Sequence, residues 1–323
     1  MDGEFSEDMC ARAFDLGRPS ADFVFAGRGQ SNPLGVLRLE TDNGPFAIKR
    51  SMTPPRSAAL AVERAAFAAG IPMPRPIHTI SGEPGVTYPT RSGLVWVRAY
   101  SWIEGEPGDW GQVSESASFD VGQLMARVHA LPVADQALVE DPWQPLGEAG
   151  WRALARAAAT AGHAWGALLS EKIPLLLEAE HGQNVSFADR RSPSQRDYHP
   201  PNLITPPFGP RVLVDWDGAG AAVARTEATQ FAITWATPEG ERPIRELVQA
   251  FHRGYRAAGG RPAPPTIAEM THQARPNVWW IWFNICRDLS ADPGPDPELV
   301  PALLSGVEAI DIERLELQAA MFL

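Results

Sequence analysis

SQRDYHPPNLITPPFGPRVLVDWDGAG, Ser194 to Gly220, is the stretch around which the chain is organised. Asp197 and Asn202 stand at the two ends of a proline-containing loop, and Asp215 and Asp217 close an apolar run, Val212-Leu213-Val214, that reads as a buried strand. Three or four oxygen ligands around one turn make a cation site. Carboxylate and amide oxygens suit Mg²⁺, and one or two carboxylates plus an amide leave coordination positions free for phosphate oxygens. That combination points to phosphoryl transfer, with Asp197 orienting a substrate hydroxyl while Asn202 and Asp215 hold the metal.

Composition sets the outer bounds. A chain of 323 residues with 44% hydrophobic content can bury a large core, and its length favours two domains or lobes. Cys10 and Cys286 lie far apart with no C-x-x-C spacing, which argues against a disulfide framework or a zinc site and for a reducing cytoplasm. The opening residues, MDGEFSEDM, are acidic and polar, unlike a secretory signal. Even VWWIWFNIC is soon interrupted by Arg287 and Asp288, so no membrane span is expected. A net charge of -11 disfavours nucleic-acid binding; it serves solubility or suits a cationic partner.

Upstream, Phe23–Gly27 reads as a strand entering the small, polar turn Gly27-Arg28-Gly29-Gln30-Ser31-Asn32. Val36–Thr41 alternates as a half-buried strand, Asp42-Asn43-Gly44 supplies a hairpin turn, and Phe46–Arg50 returns. The loop carrying Gly27, Gly29 and Ser31 either drapes N–H groups over phosphates or is a plain hairpin. Lys49 sits on the returning strand in the phrase FAIK, as a phosphate-contacting lysine would. Ser57–Gly70 is an alanine-rich helix closed by Gly70, and its Glu63 either pairs with Lys49 or faces solvent.

Ile71-Pro72-Met73-Pro74-Arg75-Pro76 is a rigid connector. Leu94–Ile103 is β-branched and aromatic, and Glu104-Gly105-Glu106-Pro107-Gly108 breaks it. A lobe boundary is placed there, giving residues 1–103 and 104–323. With a nucleotide between the lobes, the backbone of Ser101 and Ile103 would meet the adenine edge, with Tyr100 behind it. From Ser118 the pattern turns helical, with His129 near the end of the first stripe as a capping or packed residue. Further helices are expected over Trp151–Glu180, divided or kinked by Pro174 and two glycines, and over Arg225–Gly259, Pro276–Leu289 and Glu308–Phe322.

Together these residues resemble the aminoglycoside phosphotransferase and related small-molecule kinase family, from about Phe23 to Leu289. Asp197-Tyr198-His199-Pro200-Pro201-Asn202 is similar to the family's D-x-H-P-x-N loop, and Val214-Asp215-Trp216-Asp217 resembles its I-D-W-D strand end. The resemblance implies an α+β, bilobal protein-kinase-like fold: an antiparallel-sheet lobe with one main helix, then a larger, mostly helical lobe. It implies Asp197 as catalytic base, Asn202 and Asp215 as Mg²⁺ ligands, Lys49 on the phosphates of ATP or GTP, Glu63 as its ion-pair partner, and His199 as a loop-shaping residue. One departure is Gln195, where the family usually has His two residues before the catalytic Asp; a Gln amide can still donate and accept.

Asp217 is a second metal contact, a turn cap or an acceptor contact. Trp279, Trp282, Phe283 and Cys286 share one helical face, read as core or as a ligand platform, whereas Trp280, Asn284, Arg287 and neighbouring Asp288 form a candidate acceptor face. The acceptor is expected to be a small hydroxylated molecule, most simply an aminoglycoside or other antibiotic. A metabolite kinase for an amino alcohol, sugar or amino acid is the alternative, and a catalytically weak nucleotide-binding pseudokinase is a third reading. A cytoplasmic monomer or homodimer is expected, without nucleic-acid or membrane partners.

Overall fold

The computed structural model describes residues 5–27, 34–90, 93–111, 113–138, 145–181, 191–238, 243–262, 274–290 and 298–307. The chain divides into two compact units: Met1–Gln112 with Leu131–Val133 and Gln195–Gly220, and Val113–Ala130 with Ala134–Ser194 and Ala221–Leu323.

The first unit is built on a six-stranded antiparallel sheet. Its strands β1 (Val24–Gly27), β2 (Val36–Thr41), β3 (Gly44–Ser51) and β6 (Gly93–Ser101) are neighbours in that order, and β4 (Pro76–Ile77) and β5 (Val86–Thr90) both pair with β6. The hairpin register sets Val36 opposite Lys49, and β3 in turn sets Lys49 opposite Arg98. Strand alternation then sorts the side chains. Leu37, Leu39, Phe46, Ile48, Val97 and Ala99 form one core cluster with Cys10, Ala11 and Phe14 of helix α1 (Glu7–Phe14). Lys49 and Arg98 therefore lie on the opposite face, where helix α2 (Ser57–Ala68) brings Glu63.

Helix α1 is an addition to the single main helix expected in this part. Its signal is local: the Ser6 side chain accepts from the Met9 N–H, Glu7 and Asp8 fill the first turn, and Asp15 ends it in the left-handed region.

The expected boundary after Ile103 differs from the compact units. Beyond the break, Glu106 and Pro107 pair with Thr205 and Ile204, and strand Leu203–Thr205 pairs in turn with Val212–Leu213. This small sheet joins the stretch after Ile103 to both arms of the Asp197–Asp215 segment. The Leu213 N–H also donates to the Pro72 carbonyl at 2.9 Å, which anchors that segment to the proline connector.

The second unit is helical. Helices α3 (Glu115–His129), α4 (Gly147–Ala161), α5 (Trp165–His181), α6 (Ala224–Thr234) and α7 (Arg245–Ala257) precede the helices Ala274–Leu289 and Leu299–Ser305. The expected division within 151–180 falls at Gly162, in a left-handed C-cap, and α5 runs on through Pro174. Glu180 is buried where it accepts hydrogen bonds from the Trp151 indole and from the N–H groups of Leu146 and Gly147 at the start of α4. Residues 308–322, expected to be helical, lie outside the described residues.

Helices α3 and α7 pack at backbone distance. A Cβ on Gly122 would stand 2.1 Å from the Phe251 carbonyl oxygen, and one on Gly254 would stand 1.9 Å from that of Phe119. Neither carbonyl can retreat without shifting its helix. Gly254→Ala is therefore expected to lower stability by about 1–3 kcal/mol despite the better helix propensity of alanine. Denaturant unfolding measures this, and an unchanged or raised midpoint would refute it.

Candidate active site

The candidate nucleotide, base and metal residues Lys49, Asp197, Asn202 and Asp215 all belong to the first unit. Lys49 Nζ reaches Asp215 Oδ1 at 2.6 Å and Asp217 Oδ2 at 2.8 Å, so the strand lysine and the carboxylates 166 and 168 residues later converge. Burial alone would lower the lysine pKa, but the two carboxylates outweigh it and hold the ammonium charged above its ordinary range. Burial likewise pushes Asp215 towards the neutral acid, and Lys49 reverses this, holding it below the ordinary carboxylate range.

Glu63 does not pair with Lys49. It is buried and pairs with Arg98 through Nη2, and it accepts the Tyr100 hydroxyl at 2.9 Å. Arg98 stands directly across from Lys49 on the neighbouring strand, and its forked guanidinium takes the carboxylate. Burial raises the Tyr100 pKa well above 10, so the phenol remains a donor to Glu63. A sequence signal for this existed: arginine inside the apolar run LVWVRAY needs a buried partner.

Gln195 is fully buried and ties together the two halves of the segment. Its Nε2 donates to the carbonyls of Val214 at 3.0 Å and Asp215 at 2.6 Å, while its Oε1 accepts the Asp197 N–H at 2.8 Å. Arg196 and Asp215, at φ 70° and 59°, are both left-handed, a conformation costing about 1–3 kcal/mol that surrounding bonds must hold. The Gln195 amide supplies such bonds on either side of both.

Asn202 Nδ2 donates to the Asp197 carbonyl at 2.9 Å, and the Val214 N–H donates to the Asn202 carbonyl at 2.9 Å. With its amide nitrogen so fixed, Asn202 offers Oδ1 as a ligand oxygen beside the strand end that carries Asp215. One carboxylate and one amide oxygen suit a hard divalent cation that keeps water and phosphate oxygens as its other ligands. Among the described residues there is no cluster of three or more His, Cys, Asp or Glu able to hold a metal by itself. The side chain of Asp197 is 44% exposed, and His199 Nδ1 bonds its Oδ1 while stacking, tilted, against Trp110 with centroids 5.1 Å apart. The expected loop-shaping histidine thus also fixes a carboxylate.

The sequence model of the phosphotransferase enzyme family, APH, matches residues 22–261. The chain belongs to this family. It is accordingly a small-molecule kinase. Solved structures with the same fold include a spectinomycin phosphotransferase bound to ADP and spectinomycin (14% identity, 99% of each chain covered, TM-score 0.67). They also include the amicoumacin kinase hAmiN with AMP-PNP and Ca²⁺ (16%, 95% of each chain, 0.61) and a microcompartment-associated aminopropanol kinase (15%, 98% of each chain, 0.59). No curated protein matches the sequence significantly.

Other expected site residues of this phosphotransferase are placed unevenly. Gly27 ends β1 at an irregularity in the β1–β2 register, and Gly29 and Ser31 lie outside the described residues. The Ser101 N–H is committed to the Arg75 carbonyl at 3.0 Å, and its hydroxyl accepts the Arg75 N–H, whereas Ile103 lies just beyond β6.

In the second unit, the fully buried residues of helix Ala274–Leu289 are Val278, Ile281, Asn284 and Ile285; of the stripe read as core or ligand platform, Trp282 packs against that core while Trp279 is exposed. A helix apolar on most sides gives no clean period, and the true stripe is offset by one residue. Asn284 is thus a correction to the expected acceptor face. It is 1% exposed, donates to the Trp280 carbonyl one turn back, and leaves Oδ1 buried without a hydrogen bond. Asp288 accepts the Trp165 indole N–H at 2.8 Å and lies 3.3 Å from His163. Trp280 stacks on Phe283, and Arg287 lies over the same ring. Among the described residues no helix is long and apolar enough to cross a membrane.

Gln195 gives a sharp test. Gln195→Ala removes three hydrogen bonds and is expected to cost about 1.5–4 kcal/mol. Gln195→Glu would turn an acceptor oxygen towards two carbonyl oxygens in the interior and should cost more than alanine. Chemical denaturation ranks the two, and a glutamate variant as stable as the wild type would refute the donor role.

Proposed function

We propose that this enzyme transfers the γ-phosphoryl group of ATP or GTP to a hydroxyl of a small molecule, most simply an aminoglycoside or other antibiotic. The observation that carries this reading is the convergence of Lys49, Asp215 and Asp217, with the Asp197–Asn202 loop tied to the same segment through Gln195. Lys49 would neutralise charge on the nucleotide phosphates. Asn202 Oδ1 and Asp215 would hold a divalent cation, Mg²⁺ by the chemistry of its ligands, which when bound screens charge on the phosphate oxygens. Backbone groups of Ser101 and Ile103, ahead of Tyr100, would meet the base, and the loop after Gly27 would cover the phosphates.

Asp197 is the base in this reading. His199 occupies one carboxylate oxygen and fixes its plane, so the other can accept the acceptor hydroxyl's hydrogen bond and align its oxygen with the γ-phosphorus. Positioning and electrostatics supply most of the acceleration in phosphoryl transfer, and a preorganised carboxylate is what the loop contributes. Asp217 would serve Lys49 through Oδ2.

A net charge of -11 suits a cationic acceptor. Trp280, Arg287 and Asp288 remain the candidate acceptor contacts on the late helix. The alternative acceptor class, an amino alcohol or other metabolite, draws support from the shared fold of the aminopropanol kinase. Mass spectrometry of antibiotics and metabolites incubated with enzyme, ATP or GTP and Mg²⁺ decides between them through an added phosphate mass. Asp197→Asn is expected to lower turnover on the phosphorylated acceptor by about 10²–10⁴-fold with little change in melting temperature. Near-normal turnover would remove Asp197 as base, and nucleotide binding without any phosphorylated product would favour the pseudokinase.

A further inference from the structure

Lys49 and Arg98 are cross-strand partners in the β3–β6 register and lie on the same face of the sheet. Two cations so placed repel unless anions separate and flank them. Here carboxylates do both. Asp217 stands between them, with Oδ2 2.8 Å from Lys49 Nζ and Oδ1 3.7 Å from Arg98 Nη1. Glu63 takes the far side of Arg98, and Asp215 takes another side of Lys49.

Arg98 is itself 4% exposed, its Nε donates to the Pro84 carbonyl at 3.3 Å, and its guanidinium lies 5.0 Å from the Tyr100 ring centroid. The side chain is therefore held from three directions and offers its remaining nitrogen to Asp217. Asp217 Oδ1 is buried with no hydrogen bond, so a small movement towards Arg98 would complete the contact.

We infer that Arg98 is a positioning residue for nucleotide binding. It would act through a relay, Glu63–Arg98–Asp217–Lys49, that aims the lysine at the phosphates. This rests on the nucleotide-site reading above. The reason a relay is needed lies in Asp215, which is both an anchor of Lys49 and a proposed cation ligand. A cation on Asp215 would draw on the same carboxylate charge that holds the lysine through Oδ1. Asp217 is the anchor that does not depend on Asp215, and Arg98 is the cation that faces its buried Oδ1. The helix glutamate then reaches the lysine at second hand.

The test is a double-mutant cycle on binding of ADP with Mg²⁺, measured by calorimetry, with melting temperatures recorded alongside. Arg98→Met and Asp217→Asn are each expected to weaken binding at least tenfold. The double variant should bind within about twofold of the weaker single variant, because both changes cut the same relay. Should Arg98→Met fail to fold, Arg98→Lys takes its place in the cycle: it keeps a cation beside Glu63 but lacks the fork that also reaches Asp217. Folded variants that bind within twofold of the wild type, or losses that multiply in the double variant, would overturn the inference. A merely structural Arg98 would move the melting temperature and leave the affinity of the folded protein unchanged. A wild type that binds neither ADP nor ATP with Mg²⁺ would instead remove the nucleotide-site reading, and the relay with it.

Discussion

Two cations facing each other across adjacent strands are the constraint on which the first unit depends. Once the β3–β6 register sets Lys49 opposite Arg98, the face they share must gather carboxylates, because neither charge can be buried unpaired. Three are recruited from elsewhere in the chain: Glu63 from the helix after the hairpin, and Asp215 and Asp217 from a strand end 166 and 168 residues after Lys49. The carboxylates outnumber the two cations. A site of that balance suits a divalent cation accompanied by phosphates.

The second constraint is conformational. A carboxylate presented from a left-handed residue, next to a loop that itself contains a left-handed Arg196, is held in place only by many bonds. Gln195 provides these from a single amide, using both hydrogens of its nitrogen and its oxygen. A glutamine fills this position because the task is to bridge two carbonyls and one N–H, which an amide matches in number and polarity.

The sequence made the loop and strand end legible because their spacing is short and their residue types are chemically specific. Asp197, Asn202 and Asp215 need only a turn to be brought near one another, and Lys49 needs only the hairpin. Pairing was less legible. Whether Glu63 meets Lys49 or Arg98 depends on which cation lies nearer, and that follows from the register of β3 against β6, two strands separated by a helix and two short strands. The buried side of helix Ala274–Leu289 was illegible for a different reason: WWIWF is apolar at every position, so periodicity cannot select it, and the structure buries Val278, Ile281 and Ile285. The stretch after Ile103 is ambiguous in sequence because a Gly- and Pro-rich segment is as compatible with a short edge strand as with a domain boundary.

The pairing of Lys49 is the central claim, and a crystal structure with Mg²⁺ and a non-hydrolysable nucleotide tests it most directly. The account predicts that Lys49 Nζ contacts a phosphate oxygen while keeping Asp217 within about 3 Å, and that Glu63 remains on Arg98 and Tyr100. A bound structure in which Glu63 leaves Arg98 to pair with Lys49, with Asp217 turned away, would contradict it.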